Sequence, residues 1–250
     1  MQRYFAKEKV DNQFNLLNDD LYHIKTVMRM KSGDKVEVVY ENNVYLCEVQ
    51  ILKDEVSIIE LERLQTTSNL EPKITLILPF LKEQKMDLIL QKGTELGIDE
   101  FIFIETERTI VKIEDKKEQS KLERWSRICK EASEQSMRLD IPNVKIERNK
   151  DNLENLVGLK LLCSTQEKDK TVKNLLKNTR NYDKINIMIG PEGGFSVKEE
   201  IYFEKKGFIK VSLGSQIMRV ETVPVFLASI IRYEFMEWLY EKYSRLYCWK

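Results

Sequence analysis

The spacing of hydrophobic and polar residues divides the chain into two regions with different periodicity. In the first region, Lys35–Tyr40, Val44–Ile51 and Val56–Leu61 are apolar-rich runs separated by short polar turns, which predicts antiparallel strands. Asp20–Arg29, before these runs, has the pattern of a short helix. A meander of this size usually closes into a barrel, because closure removes exposed strand edges. We therefore predict a small β domain over residues 1–70.

The second region alternates short apolar runs with helical patterns. Predicted strands are Ile74–Leu78, Phe101–Ile104, Leu159–Cys163, Ile185–Ile189 and Ile209–Leu213. Predicted helices are Lys82–Leu96, Glu118–Arg138, Thr171–Asn178 and Val223–Tyr247. Alternation of this kind is typical of an α/β fold with a parallel sheet covered on both faces. We predict that this domain occupies residues 73–250, after a polar linker at residues 65–72.

Three loops at the carboxyl ends of predicted strands carry the candidate chemistry. They are Cys163–Glu167, the glycine-rich turn Gly190–Ser196 and the segment Leu213–Thr222. Parallel strands point the same way, so these loops gather at the sheet edge where open α/β sheets bind ligands. The glycine-rich turn precedes a helix start with the capping box Ser196–Glu199, an arrangement that exposes backbone amides to a ligand. Considered alone, it could also be an ordinary strand-to-helix turn.

Composition narrows the classes of protein. The 250 residues include 41 Lys and Arg against 41 Asp and Glu, a balance that neither indicates nor excludes a nucleic-acid partner. His23 is the only histidine, and the four cysteines form no CxxC pair, which argues against a zinc site and favours free thiols in a reducing cytosol. The absence of GxGxxG and P-loop patterns argues against a dehydrogenase or NTPase. With neither a long apolar run nor a signal peptide, we expect a cytoplasmic protein without a membrane span. The single histidine and the unpaired cysteines lead us to expect no metal.

Several segments resemble the RsmE family, the 16S ribosomal RNA uracil-N3 methyltransferases of the SPOUT superfamily. The most specific matches are Ile189–Phe195 and Ser212–Thr222, and the others follow in family order: Arg3–Phe5, His23–Arg29 with Gly33-Asp34, Gln91–Gly97, and Arg124–Arg138 with Ile141-Pro142. The resemblance implies a PUA-like β-barrel that helps to hold RNA. It further implies a SPOUT-type parallel sheet with a C-terminal trefoil knot, and a homodimer.

The resemblance also implies S-adenosylmethionine as the cofactor. Ten residues would hold it: Leu162, Ile189, Gly190, Glu192, Gly193, Gly194, Leu213, Gly214, Ile217 and Met218. Arg219 would stabilise the negative charge that grows on uracil as N3 loses its proton. Glu221 would accept that proton or hold Arg219 in place, with Glu192 as the second candidate carboxylate. Without a ligand, Arg219 would be a surface charge and Glu221 a carboxylate at a helix start.

The implied substrate is 16S ribosomal RNA in the small ribosomal subunit, methylated at N3 of a specific uridine in the decoding region. Base pairing blocks N3, so the target has to be unpaired or flipped out. Candidate RNA contacts are Arg3, His23, Arg29 and Arg138. Each also has an ordinary structural explanation, as Arg138 near a helix C-terminus does. Phe235 and Trp238 widen the apolar face of the last helix, which favours a homodimer.

Departures from the family pattern leave two other functions open. Gln216 stands where the family has arginine, and Val223-Pro224 stand where small residues are usual. A related SPOUT enzyme with a tRNA or large-subunit target would share the same cofactor loops, although the N-terminal matches argue against it. A catalytically silent RNA-binding protein would follow if Gln216 marked loss of activity. The presence of Arg219 and Glu221 argues against that reading.

Overall fold

The computed structural model describes the backbone of residues 1–53, 55–64, 71–178 and 182–247, and the side chains of all of these except 178 and 236–247. Its contacts divide the chain into two compact units, Met1–Asn69 with Lys130–Ile141, and Leu70–Cys129 with Pro142–Lys250. The sequence did not predict that Lys130–Ile141 would join the first unit. Most of the predicted linker and the side chain of Trp238 lie outside the described residues.

The first unit is built on a mixed six-stranded sheet. Its strands and short helix are β1 Arg3–Phe5, β2 Glu8–Val10, β3 Gln13–Asn15, α1 Asn18–Tyr22, β4 Lys35–Tyr40, β5 Asn43–Leu52 and β6 Glu55–Arg63. The strand order is β1-β4-β5-β6-β3-β2, in which β1 is parallel to β4 and the other pairs are antiparallel. The predicted meander is confirmed as β4 to β6. Strands β1 to β3 escape prediction because three residues carry almost no periodic signal.

Buried side chains hold the first unit together. Tyr4, Phe14, Ile24 and Ile58 are almost completely removed from solvent within one apolar cluster. The predicted short helix is present as α1 followed by a π-helical turn, His23–Val27, which contributes Ile24 to the core. Burial raises the pKa of the Cys47 thiol in the same cluster to about 12, so this cysteine is an apolar core residue at neutral pH.

The second unit is built on a parallel six-stranded sheet. Its elements are β7 Lys73–Pro79, α2 Glu83–Glu95, β8 Glu100–Ile104, α3 Asp115–Gln135, β9 Asn143–Ile146, a 3₁₀ turn Lys150–Asn155, β10 Leu159–Cys163, α4 Val172–Asn178, β11 Lys184–Met188, α5 Val197–Lys205, β12 Ile209–Val211 and α6 Thr222–Tyr247. The strand order is β12-β10-β11-β7-β8-β9, and every pair is parallel. The predicted parallel α/β sheet is therefore confirmed. Strand β9 was missed because it is short and lysine-containing.

Successive residues of the central strands pack into different cores. In β7, Leu76 and Leu78 belong to one buried cluster, whereas Ile77 belongs to another that includes Phe203 of α5. Since side chains alternate across a strand, both faces of the sheet are covered. Helix α3 begins at Asp115 and ends at Gln135, so Arg138 lies beyond its end rather than inside it as predicted. No helix among the described residues is long and apolar enough to cross a membrane.

Candidate functional site

A cavity of roughly 1160 Å³ lies where the three predicted loops meet. The loops follow β10, β11 and β12, which the sheet places side by side in the order β12-β10-β11. The prediction that these loops gather at one sheet edge is confirmed. Side chains from outside these loops also line the cavity, among them Lys85 from α2 and Arg108 from the segment after β8.

The glycine-rich turn, residues 190–196, is held in one shape by its own sequence. A Cβ atom at Gly190 would lie 3.1 Å from Cδ2 of Phe195, which is tighter than ordinary packing. Gly194 has a φ of 67°, in the left-handed region that favours glycine. Ser196 Oγ accepts a hydrogen bond from the Glu199 amide at 3.2 Å, and the Glu199 carboxylate accepts one from the Ser196 amide at 3.0 Å. The predicted capping box is confirmed.

Groups from neighbouring segments clamp this turn and the helix start that follows it. Lys85 Nζ lies 2.8 Å from Glu192 Oε1, and this ion pair holds the pKa of the Glu192 carboxyl below its usual range. Arg108 donates hydrogen bonds to the carbonyl oxygens of Gly193 at 2.5 Å and Phe195 at 3.3 Å. The second carboxylate oxygen of Glu199 accepts from the Glu107 amide at 2.8 Å. Sequence reasoning missed Lys85 and Arg108, because nothing near either residue marks it as part of a site.

The arginine loop, residues 213–221, is fixed by fewer contacts with the described residues than the glycine-rich turn is. Gly214 has a φ of 118°, and Ile217 is 84% exposed at the cavity wall. Arg219 also lines the cavity, and within the described part of the chain its guanidinium makes no hydrogen bond or ion pair. Glu221 Oε2 lies 3.4 Å from Lys85 Nζ, and this buried oxygen accepts no hydrogen bond from the described residues.

The loop after β10 contributes buried polar groups. Ser164 Oγ donates a hydrogen bond of 2.6 Å to Glu200 Oε1, and both residues line the cavity although each is only 7% exposed. Farther along the loop, the Glu167 carboxylate accepts from the backbone amides of residues 168 to 170, which hold its pKa below the usual range. Neither Ser164 nor Glu200 was predicted as a site residue.

The structure brings together most of the residues predicted to bind the cofactor. The following line the cavity: Ile189, Gly190, Glu192, Gly193, Gly194, Leu213, Gly214, Ile217 and Met218. Leu162 does not, because it is fully buried in the core between the sheet and α5. Glu221 is not among the residues that line the cavity, and its carboxylate pairs with Lys85 instead of with Arg219.

The four residues predicted to contact RNA all lie in the first unit, where three of them make internal contacts. Arg3 is 9% exposed and donates to Glu37 at 2.9 Å and to the carbonyls of Met137 and Arg138. His23 Nδ1 lies 2.9 Å from the Tyr4 hydroxyl, whose pKa burial holds above its usual range. The Arg138 guanidinium pairs with Asp140 at 2.8 Å.

Arg29 is the exposed member of that group. Its φ of 52° places the backbone in the left-handed region just after the π-helical turn.

No group of three or more histidine, cysteine or carboxylate side chains that could hold a metal ion occurs among residues 1–53, 55–64, 71–178 and 182–235.

Comparison with known proteins identifies both parts of the chain. A family model described as an RNA methyltransferase domain matches residues 68–232, and one described as an RNA methyltransferase PUA domain matches residues 16–61. Ribosomal RNA small subunit methyltransferase E of Bacillus subtilis (strain 168) is 31% identical over 94% of this chain and 97% of that protein. The protein of the same name from Mesomycoplasma hyopneumoniae (strain 232) is 36% identical over 91% and 97%.

A solved structure extends the likeness to the fold. Ribosomal RNA small subunit methyltransferase E from Neisseria gonorrhoeae, bound to S-adenosyl methionine, is 27% identical with a TM-score of 0.81, covering 93% of this chain and 97% of that one. The prediction of a SPOUT-type α/β fold after an N-terminal PUA domain is confirmed, while the trefoil knot stays a prediction. The agreement of two family models, full-length relatives and a solved fold shows that this chain belongs to the ribosomal RNA small subunit methyltransferase E family.

Proposed function

We propose that this protein transfers a methyl group from S-adenosylmethionine to N3 of a specific uridine in the decoding region of 16S ribosomal RNA. Membership of the family supports the reaction class, and the solved relative with bound S-adenosylmethionine supports the cofactor. The observation that carries the proposal is Arg219, a guanidinium at the cavity wall with no partner among the described residues. A free cation in that place suits a base that becomes negatively charged.

The residues present fit an adenosine cofactor. A Cβ atom at either Gly194 or Gly214 would meet nothing within 4 Å, so their backbone is open on the side where a side chain would otherwise stand. Both glycines line the cavity, with Leu213 and Met218 nearby for apolar contact. Exposed backbone groups and a few fixed polar groups are what nucleoside sites use. We propose that the nine cavity-lining residues predicted for this role hold the cofactor, and that Leu162 supports them from the core.

The chain's own residues have to orient the uracil and stabilise its anion. When bound, S-adenosylmethionine supplies a methyl group activated by its sulfonium. We propose that Arg219 lies against the uracil edge and favours the form that has lost its N3 proton, because an opposite charge stabilises the ionised group. No other described side chain competes for its guanidinium, so its charge is available to the substrate.

Two carboxylates are candidates for the proton acceptor. Glu192 is engaged by Lys85 at 2.8 Å, with its pKa held low, which makes it the poorer acceptor. Glu221 lies farther from the same ammonium, at 3.4 Å, and its buried Oε2 keeps unused acceptor capacity. We therefore propose Glu221 as the proton acceptor and Lys85 as the group that connects it to Glu192 and to the cavity wall.

The first unit supplies the proposed RNA contacts. Arg29 is exposed and is proposed to bind RNA directly, whereas Arg3, His23 and Arg138 would position that surface through their internal contacts. We also propose domains at residues 1–70 and 73–250, a trefoil knot near the cofactor site, a cytoplasmic location and a homodimer. Light scattering of the purified protein tests the dimer, and a monomer mass would exclude it.

The decisive experiment is methyl transfer from labelled S-adenosylmethionine to unmodified small ribosomal subunits, followed by nucleoside analysis. The proposal predicts 3-methyluridine at one position. Free 16S ribosomal RNA and large subunits, tested alongside, identify the form of substrate. Cofactor binding without transfer to small subunits that an active family member methylates would contradict the proposed substrate.

A further inference from the structure

The buried pair Ser164 and Glu200 is not used by the proposed reaction. Glu200 lies in the first turn of α5, and Ser164 follows β10, so two elements bring the pair together at the cavity. Burying a carboxylate is costly unless hydrogen bonds and nearby charge compensate it. A carboxylate kept at a cavity wall despite this cost suggests a role towards the ligand.

The hydrogen bonds of the pair determine what it offers to the cavity. Ser164 Oγ accepts from the Gln166 amide at 3.1 Å and donates its proton to Glu200 Oε1 at 2.6 Å. The hydroxyl proton is therefore already used. Lys210 Nζ lies 3.7 Å from Glu200 Oε2, which is an ion pair but too long for a hydrogen bond. The pair consequently presents acceptor oxygens, and its ligand has to supply donors.

The charges around Glu200 indicate which donor fits. Its carboxylate is offset by the Lys210 ammonium, which Glu204 shares at 3.2 Å, and by the N-terminal end of α5. A carboxylate balanced in this way suits a neutral pair of hydroxyl donors better than a second cation. In dinucleotide sites an acidic side chain binds ribose hydroxyls by this chemistry.

We propose that Ser164 and Glu200 form a ribose-binding subsite, with Glu200 Oε2 accepting a hydrogen bond from a ribose hydroxyl of the cofactor and Ser164 holding the carboxylate in place. This inference rests on the proposed cofactor. It assigns a specific role to the loop after β10, which the sequence singled out without naming a residue. Glu200 is thus a binding residue, and Ser164 is a positioning residue.

The test compares ligands that contain and lack the relevant groups. Binding of S-adenosylmethionine, 5′-methylthioadenosine and its 2′-deoxy and 3′-deoxy counterparts is measured by calorimetry on the wild type, Glu200→Gln and Glu204→Gln. Glu204 is the matched control, because it contacts the same Lys210 from the same helix. We expect Glu200→Gln to weaken S-adenosylmethionine and 5′-methylthioadenosine alike, by about 10- to 100-fold. We also expect it to remove most of the wild-type preference for ribose over at least one deoxy sugar.

Each other outcome overturns the subsite. If Glu200→Gln weakens S-adenosylmethionine but leaves 5′-methylthioadenosine unchanged, the carboxylate binds the amino group instead. If no ligand is affected, the pair is purely structural. Should Glu200→Gln fail to fold, Ser164→Ala tests the same loss of ribose preference. If the wild type transfers methyl groups normally and the variants keep the wild-type ribose preference, this inference alone is refuted. If the wild type binds no S-adenosylmethionine, the proposed function is refuted.

Discussion

The glycine-rich turn and the arginine loop line the same cavity but are built in opposite ways. The turn is fixed by its capping box and is clamped from outside by Lys85 and Arg108. The arginine loop exposes Ile217 and leaves the Arg219 guanidinium without a partner among the described residues. A preorganised surface binds its ligand without the cost of ordering the surface first. A side chain that contacts the RNA substrate, in contrast, has to be free of other partners before the substrate arrives. The difference predicts that the fixed turn serves cofactor binding, whereas the loop, besides its proposed cofactor contacts, contributes Arg219 to the substrate.

Replacing the free arginine should have the largest effect. Arg219→Ala is expected to lower the rate of methyl transfer by about 100- to 1000-fold, because one group that stabilises developing charge is lost. S-adenosylmethionine affinity should stay within a few-fold. Single-turnover kinetics and calorimetry measure the two quantities. Arg127→Ala, which removes an exposed arginine of α3, is the control. A loss of cofactor affinity equal to the loss of rate would contradict the division of roles.

Two adjacent glycines test how the turn is held. Gly194→Ala should lower the free energy of unfolding by about 1–2 kcal/mol, because its φ of 67° is strained for a residue with a side chain. Gly193→Ala should cost little, since its Cβ would meet only Arg108, at an ordinary 3.4 Å from Cδ. Urea denaturation measures both. Equal destabilisation by the two substitutions would show that backbone conformation is not the deciding factor.

Removing the arginine clamp should affect binding more than chemistry. Arg108→Ala loses the hydrogen bonds to the carbonyls of Gly193 and Phe195, so the turn has to be ordered when the cofactor binds. We expect the Kd for S-adenosylmethionine to rise about three- to tenfold, with a smaller change in the single-turnover rate at saturation. The result most damaging to the comparison would be an unchanged Kd with a large fall in rate.

Removing the Lys85 clamp should have the smallest effect, which is detected best through the pH dependence of stability. A Glu192 pKa below the unfolded value stabilises the fold above about pH 4.3, and this contribution is lost as the pH falls through the lower folded pKa. In Lys85→Met the Glu192 pKa should rise towards its ordinary value, which an NMR titration of the carboxyl group would detect. The loss of stability at neutral pH should stay below about 1 kcal/mol, since the pair is partly exposed. An unchanged Glu192 pKa would show that Lys85 does not hold it.

The sequence identified the parts of the site that are local in the chain. Apolar strands followed by unusual loops predicted the cavity, because parallel strands bring their carboxyl ends together. Lys85 and Arg108 could not be found in this way. They reach the turn because β7 lies beside β11 and β8 lies beside β7, and strand order is not written in local periodicity. Leu162 shows a second limit of prediction from local sequence, since a residue next to a functional loop can still point into the core.

The internal pairing of basic residues bears on how the protein would bind a polyanion. Acidic and basic residues are equal in number, 41 of each, and Arg3 and Arg138 already engage carboxylates or carbonyls. Each cation that neutralises a phosphate releases counterions, and the number released sets how steeply affinity falls with salt. Among the four residues predicted to contact RNA, Arg29 is the exposed one, so these four should add little to the salt dependence of RNA binding. This surface would then recognise the shape of a folded RNA more than its charge density.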